Sequence, residues 1–138
     1  MTAPAMPIPD RLGRAYADFA RGDSAALWSL LTSATVYHLP GAHLGGGRLE
    51  GREAIFRRLV AAARSCDAPL ELELLETFGD DVVVVTRERF RARRRGRSLD
   101  QEVHVVWRFE RALCIEIRSY FEDQVACDAF WEGWIAEP

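Results

Sequence analysis

The fold of this chain is decided by residues 82–109, which read VVVVTRERFRARRRGRSLDQEVHVVWRF. On either side of the turn Arg95-Gly96-Arg97-Ser98, apolar side chains alternate with charged ones. A period of two predicts two strands, each with one buried face and one solvated face. Paired antiparallel, the arginine face of the first strand meets Asp100 and Glu102 of the second, and such opposite-charge pairs help to fix the register. The buried face of the first strand also carries one carboxylate, Glu88.

The segments around this hairpin complete an α+β pattern. Helical spacing of apolar residues predicts a first helix capped by Asp10, a second that begins after Asp23 or Ser24, and a third from Gly51 to Ala63. A short strand ending at His38 and a glycine-rich loop lie between the second and third helices. Further strands are predicted from Leu70 to Leu74 and from Leu113 to Tyr120. In the second of these, Ile115, Ile117 and Ser119 share one face. A closing helix is predicted from Gln124 to Trp134. We expect a single domain, residues 1–138, with 1–9 as a frayed lead-in and helices covering one face of a strongly curved antiparallel sheet.

Composition excludes several classes of protein. The 138 residues are 49% hydrophobic and 28% charged, which is typical of a globular domain rather than a disordered one. The longest apolar runs are far shorter than the roughly 20 residues of a membrane helix, and the N-terminus lacks the pattern of a signal peptide. A net charge of −3 argues against nucleic-acid binding. Three cysteines without a close pair argue against a disulfide framework and suit a reducing cytoplasm.

His38 is the first candidate for chemistry, within Val36-Tyr37-His38-Leu39-Pro40-Gly41. An imidazole titrates near neutrality, and this one stands where a strand opens into a loop, so it could move protons for a bound molecule. A hydrogen-bonded structural histidine is the alternative. Neither His43 nor His104 has a spacing to His38 that suggests a metal site, so we expect no metal.

Several motifs, taken in order, resemble the SnoaL-like branch of the nuclear transport factor two and ketosteroid isomerase superfamily. They are Arg21-Gly22-Asp23, the His38 stretch, Leu49-Glu50-Gly51-Arg52-Glu53-Ala54-Ile55, and Glu122-Asp123-Gln124 leading to Asp128-Ala129-Phe130-Trp131. The resemblance runs from about Leu12 to Trp131. It implies a conical α+β barrel with a pocket for a small molecule, often dimeric through the outer face of the sheet. Members include isomerases, polyketide cyclases, dehydratases and binding proteins without catalysis, so function has to be argued from the site.

The resemblance also assigns roles to positions. His38 stands where the isomerases carry their general base. Their two oxyanion donors correspond to Ala15 and Val105, which cannot donate a hydrogen bond, and the cyclase carboxylate corresponds to Ser119.

Two carboxylates offer substitutes for the missing groups. Glu88 lies on the apolar face, where burial would raise its pKa, although it could instead reach solvent or an arginine. Asp123 could border the pocket or simply cap the last helix. We therefore predict His38, Glu88 and Asp123 as catalytic residues. The predicted substrate-binding residues are Tyr16, Val105, Trp107, Ser119 and Tyr120.

Three functions are compatible with these residues. The first is an enzyme of secondary metabolism that uses acid–base chemistry without a cofactor to isomerise, cyclise or dehydrate a hydrophobic carbonyl compound such as a polyketide. The second is a non-catalytic ligand-binding or accessory protein of the same fold. The third is a dimeric structural module that uses the arginine face of the sheet. We expect a homodimer with a hydrophobic ligand, without a nucleic acid or membrane partner.

Overall fold

The sheet and the helices that cover it are defined in a computed structural model that describes residues 6–41 and 47–134. The helices in these ranges are α1 (Ile8–Ala20), α2 (Ala25–Leu30), α3 (Arg52–Arg64) and α4 (Gln124–Phe130). The strands are β1 (Val36–Leu39), β2 (Gly47–Glu50), β3 (Glu71–Gly79), β4 (Val83–Arg94), β5 (Arg97–Glu110) and β6 (Leu113–Phe121). None of the helices in these ranges is long and apolar enough to cross a membrane.

The strands form one curved, open sheet in the order β2-β1-β6-β5-β4-β3. The α+β class is confirmed, but the predicted sheet was not fully correct, because β1 runs parallel to β6 while the other neighbouring pairs are antiparallel. In the central pair, Arg89 lies opposite Glu102 and Arg91 opposite Asp100, so the charged faces meet as the sequence predicts. Arg89 also bonds the Asp100 carboxylate through two nitrogens.

The inner face of the sheet is buried beneath the helices. α1 packs on α2 and β3, while α4 packs on β5 and β6. The main core contains Leu12 and Ala15 from α1 together with Val84 and Ile117 from the sheet, each with at most 1% of its surface exposed. A second apolar cluster forms where Phe130 and Trp131 pack beside Ala92 and Leu99. Side chains on the inner face are therefore removed from water.

The structure corrects the predicted ends of two helices. α1 begins at Ile8, so Asp10 lies in its first turn and is not its cap. Pro9 suits a first turn, where an N–H has no partner within the helix, and the Ile8 N–H donates to the Asp81 carboxylate at 2.8 Å. Ile8 and Pro9 therefore belong to the helix and not to a lead-in. α4 ends at Phe130, four residues before the predicted end at Trp134.

The sheet also differs from the prediction in β2 and in the pairing of β6. β2 was interpreted as part of a glycine-rich loop, because it is four residues long and only Leu49 in it is half-buried. A bulge interrupts the pairing of β5 with β6 beside Phe109. Because of this irregularity Cys114 is buried and Ile115 is 36% exposed, whereas simple alternation placed Ile115 with Ile117 and Ser119 on the buried face.

Candidate active site

Glu88 is a carboxylate buried on the inner face, with 2% of its surface exposed. Its Oε2 atom accepts hydrogen bonds from the Thr86 hydroxyl at 2.7 Å and the Tyr16 hydroxyl at 3.0 Å. The alternative prediction, a strand-end carboxylate that reaches solvent or an arginine, is wrong because two buried hydroxyls hold this group. Strand alternation predicted its face correctly.

Burial raises the pKa of Glu88 to about 7, although the hydrogen bonds from Thr86 and Tyr16 act in the opposite direction. A carboxyl group with this pKa has both protonation states available near neutral pH. It can therefore accept a proton in one step and return it in the next.

Tyr16 and Trp107 determine how the hydroxyls around Glu88 are oriented. The two rings meet edge to face, with centroids 6.0 Å apart. The Trp107 indole Nε1–H donates to the Thr86 hydroxyl oxygen at 3.1 Å, so the single hydrogen of Thr86 is directed to Glu88. Burial first, and then the charge of Glu88, raise the pKa of Tyr16 well above its usual value, so Tyr16 remains a donor.

Tyr16 also changes the comparison with the isomerases. The resemblance places their first-helix donor at Ala15, which suggested that no hydroxyl would be available. Both Ala15 and Tyr16 are buried, and Tyr16 reaches the inner face. A hydroxyl donor is therefore present, one residue further along α1.

A second pair of hydroxyls lies on the same face. The Tyr37 hydroxyl and the Ser119 hydroxyl are hydrogen-bonded, joining β1 to β6. Burial raises the pKa of Tyr37 to about 12, with the bond to Ser119 opposing the change. Tyr37 was not among the site residues predicted from the sequence. Alternation would have found it only with His38 facing outward, because neighbouring residues in a strand face opposite sides of the sheet.

Val105 separates the two pairs of hydroxyls. It lies opposite Thr86 on β4 and opposite Ser119 on β6, so the three residues form one row across three strands. We call Tyr16, Tyr37, Thr86, Glu88, Val105, Trp107 and Ser119 the inner-face cluster. It contains four of the five predicted substrate-binding residues, Tyr16, Val105, Trp107 and Ser119, together with Glu88.

His38 lies on the other face of the sheet. Its strand neighbour Tyr37 packs against the core, and the His38 imidazole Nε2 lies 3.3 Å from a Glu116 carboxylate oxygen. Arg118 and Arg108 approach the second oxygen of Glu116, at 3.3 Å and 3.6 Å. The structure therefore does not bring His38 and Glu88 into one site.

Two further predicted residues lie outside the inner-face cluster. Tyr120 is 54% exposed and is paired with His104 on the outer face, because β6 alternates and Ser119 faces inward. Asp123 caps α4, and its carboxylate accepts the Ala126 N–H at 3.0 Å. Its own N–H donates to the buried Gln101 amide oxygen at 2.7 Å. Of the two interpretations of Asp123, the geometry favours the helix cap.

Two surface clefts lie away from the inner-face cluster. One of about 370 Å³ lies between α1 and α2 and includes Arg11 and Arg14. The other, of about 320 Å³, lies at the start of α3. Within the ranges that the structure describes, no group of three His, Cys, Asp or Glu is arranged to hold a metal ion. His43 lies outside those ranges, and the expectation of no metal stays a prediction.

Comparison with known proteins places the fold of this chain in a family. The sequence from residue 12 to residue 117 matches the family model of the SnoaL-like domain. This chain belongs to the SnoaL-like domain family. The predicted family and the α+β fold are therefore confirmed.

Individual proteins are similar to this chain in sequence or in structure. Uncharacterized protein Rv0034 of Mycobacterium tuberculosis is 27% identical over 123 residues, which cover 88% of this chain and 94% of that protein. Bal32a, from a soil-derived mobile gene cassette, is 31% identical with a TM-score of 0.83, covering 91% of this chain and 96% of its own. TerC, co-crystallized with polyporic acid, is 18% identical with a TM-score of 0.75, covering 91% and 98% of the two chains. The likeness to TerC shows the fold alone.

Proposed function

We propose that this protein is an enzyme that performs acid–base chemistry without a cofactor on a hydrophobic carbonyl compound, with Glu88 as the group that moves the proton. The observation that carries the proposal is the Glu88 carboxylate itself, buried among Tyr16, Thr86 and Trp107 with a pKa of about 7. A buried carboxyl group with a shifted pKa is a feature that catalytic acids and bases share.

The chemistry begins with ionised Glu88. Its carboxylate removes a proton from a carbon next to the substrate carbonyl, and the electron pair of the broken C–H bond moves toward the carbonyl oxygen to give an enolate. Where a C=C bond is conjugated with the enolate, protonated Glu88 can return the proton to the far carbon of that bond, which is an isomerisation. In a cyclisation the enolate carbon instead attacks a second carbonyl carbon, and the oxygen of that carbonyl takes the proton from Glu88. In a dehydration a hydroxyl group on the adjacent carbon takes the proton from Glu88 and leaves as water, while the electron pair of the enolate forms a C=C bond.

The surroundings of Glu88 support an apolar substrate. Val105 and Trp107 contribute aliphatic and aromatic surface on the inner face, and both are buried. Polyketide cyclases occur in this family, and a polyketide or related secondary metabolite combines carbonyl groups with acidic C–H groups. The structurally similar TerC has been co-crystallized with polyporic acid, which supports an organic ligand in this fold.

Hydrogen–deuterium exchange tests the proposal without knowledge of the natural substrate. β-Tetralone, a bicyclic ketone with acidic C–H groups beside its carbonyl, is incubated with the protein in heavy water, and deuterium uptake is followed by NMR. The wild type should accelerate uptake. Glu88→Gln should lower the rate by roughly a hundredfold or more, whereas Glu102→Gln, which removes a carboxylate from the outer face, should leave it unchanged. Equal rates for Glu88→Gln and the wild type would refute the assignment.

Non-catalytic ligand binding is the second candidate function. The observation that favours it is the enclosure of the inner-face cluster, because Val105, Trp107 and Ser119 each expose 6% of their surface or less. Native mass spectrometry of the protein isolated from its own cells separates the two functions. A bound metabolite that is released chemically unchanged after prolonged incubation would favour binding, and its conversion would favour the enzyme.

Two further properties belong to the proposal. The outer sheet face forms a homodimer, supported by exposed apolar residues such as Phe78 and Val83 beside its charged groups. Simultaneous replacement of Arg87, Arg89 and Arg91 by alanine should then lower the mass measured by light scattering, and an unchanged mass would refute this interface.

The protein works in a reducing cytoplasm, a location that suits its free cysteines Cys66, Cys114 and Cys127.

A further inference from the structure

The Tyr37–Ser119 pair contains a hydrogen that its own bond does not use. Two hydroxyls bring two hydrogens, and the bond between them uses one. Within residues 6–41 and 47–134, no other group accepts a hydrogen bond from either hydroxyl. The pair can therefore donate one hydrogen bond to a bound molecule.

The position of the pair relative to Glu88 suits a carbonyl compound. Thr86, Val105 and Ser119 are paired residues on three successive strands, and strands lie about 4.8 Å apart, so Thr86 and Ser119 are about 10 Å apart along the sheet. The Glu88 carboxylate is bonded to the Thr86 hydroxyl at one end of this row. The Tyr37 hydroxyl is bonded to Ser119 at the other. A proton acceptor and a hydrogen-bond donor thus flank the apolar side chain of Val105.

From this arrangement we infer that the Tyr37–Ser119 pair donates a hydrogen bond to the carbonyl oxygen of the substrate while Glu88 removes the proton from the neighbouring carbon. The substrate class is an enolisable ketone with an apolar skeleton, bound across Val105. This inference rests on the proposed function and extends it, because it assigns the group that stabilises the enolate.

The chemistry explains why the donor matters. When the C–H bond breaks, negative charge develops on the carbonyl oxygen, and a fixed donor in a buried site stabilises that charge more than it stabilises the neutral ketone. Burial keeps the Tyr37 phenol protonated, with its pKa raised to about 12. The pair therefore remains a donor throughout the pH range in which Glu88 titrates.

A purely structural role for the bond is the competing explanation, since it also ties β1 to β6. Such a role predicts that loss of the Tyr37 hydroxyl lowers stability without changing how the site treats a carbonyl group. Ligand selectivity therefore distinguishes the two roles, whereas the melting temperature does not.

The experiment compares binding of β-tetralone with that of tetralin, its hydrocarbon analogue without the carbonyl, by titration followed through tryptophan fluorescence. The wild type should prefer the ketone by roughly tenfold, the effect of one hydrogen bond of about 1.4 kcal/mol. Tyr37→Phe should reduce the preference to about twofold or less. It should also lower kcat for deuterium exchange by at least roughly tenfold, with a smaller change in KM. Tyr120→Phe, which removes a phenol from the outer face, is the matched control and should behave as the wild type.

The outcomes separate this inference from the proposed function. A ketone preference that depends on Tyr37 without any deuterium exchange would support the donor and refute the enzyme. Exchange that requires Glu88 but is unaffected in Tyr37→Phe would refute the donor alone. Equal or undetectable binding of both compounds by the wild type would also overturn the inference. If Tyr37→Phe does not fold, Ser119→Ala is measured in the same way. It leaves the Tyr37 hydrogen free to donate, so it should keep the ketone preference, and loss of that preference in a folded Ser119→Ala protein would overturn the assignment of Tyr37 as the donor.

Discussion

Tyr16 of α1 donates its phenol hydrogen to Glu88 of β4 across 72 residues of sequence, at 3.0 Å inside the fold. This contact joins the N-terminal helix to the proposed proton-transfer group. It also stabilises the charged form of a carboxyl group that burial drives toward the neutral form.

The pKa of Glu88 predicts how stability depends on pH. In the unfolded chain this carboxyl has a pKa near 4.5, and in the folded protein about 7. The free energy of unfolding is highest below pH 4.5, where Glu88 is neutral in both the folded and the unfolded protein. It falls by about 3 kcal/mol as the pH rises through 7, because the folded protein must then hold the charged carboxylate in a buried site. Glu88→Gln lacks this loss. The stability of this variant relative to the wild type should therefore rise by about 3 kcal/mol between pH 4 and pH 8 in denaturant titrations. A constant difference would contradict the raised pKa.

Removal of the Tyr16 hydroxyl should shift the pH dependence of the exchange rate to higher pH. The bond from Tyr16 lowers the pKa of Glu88, so Tyr16→Phe should raise it, and the exchange of β-tetralone should then require a higher pH. A hydrogen bond to a charged group corresponds to about one pH unit. The rate is measured from pH 5 to pH 9, with Tyr120→Phe as the control. Superimposable profiles for Tyr16→Phe and the wild type would show that the bond does not tune Glu88.

His38→Gln separates the prediction made from sequence from the proposal made from structure. If His38 is the catalytic base, as its position in the family suggests, the variant should lose exchange activity. Its contact with Glu116 on the outer face instead leads us to expect a rate within about twofold of the wild type. A large loss of activity, with an unchanged melting temperature, would show that His38 takes part in catalysis.

Asp123 offers a similar test with a matched pair of variants. Asp123→Ala removes the hydrogen bond to the Ala126 N–H and should reduce the free energy of unfolding by about 1 kcal/mol. Asp123→Asn keeps a good capping oxygen and should nearly restore stability. Both should retain exchange activity. Loss of activity in the asparagine variant alongside normal stability would indicate a catalytic carboxylate.

The sequence correctly predicted features that depend on neighbouring residues, and it missed those that depend on contacts between distant segments of the chain. Alternation is local, so it correctly placed Glu88 and Val105 on the inner face. The face of His38 depends on the parallel pairing of β1 with β6, a contact between distant segments that periodicity does not report. The hydrogen bond between Tyr16 and Glu88 is equally nonlocal. The exposure of Ile115 follows from a bulge, and the residue types in β6 do not predict a bulge there.

The parallel pairing of β1 with β6 also has a consequence for synthesis on the ribosome. Val36 lies opposite Glu116, and Tyr37 reaches Ser119, so β1 can pair with β2 early but gains its second neighbour only after β6 has been made. Contacts between such distant segments slow folding, because the chain must close a long loop before it gains their stabilisation. Until then Tyr37 has no hydroxyl partner and the proposed oxygen-binding group does not exist. A nascent chain that stops before β6 would therefore be unable to assemble the site, however well its helices form.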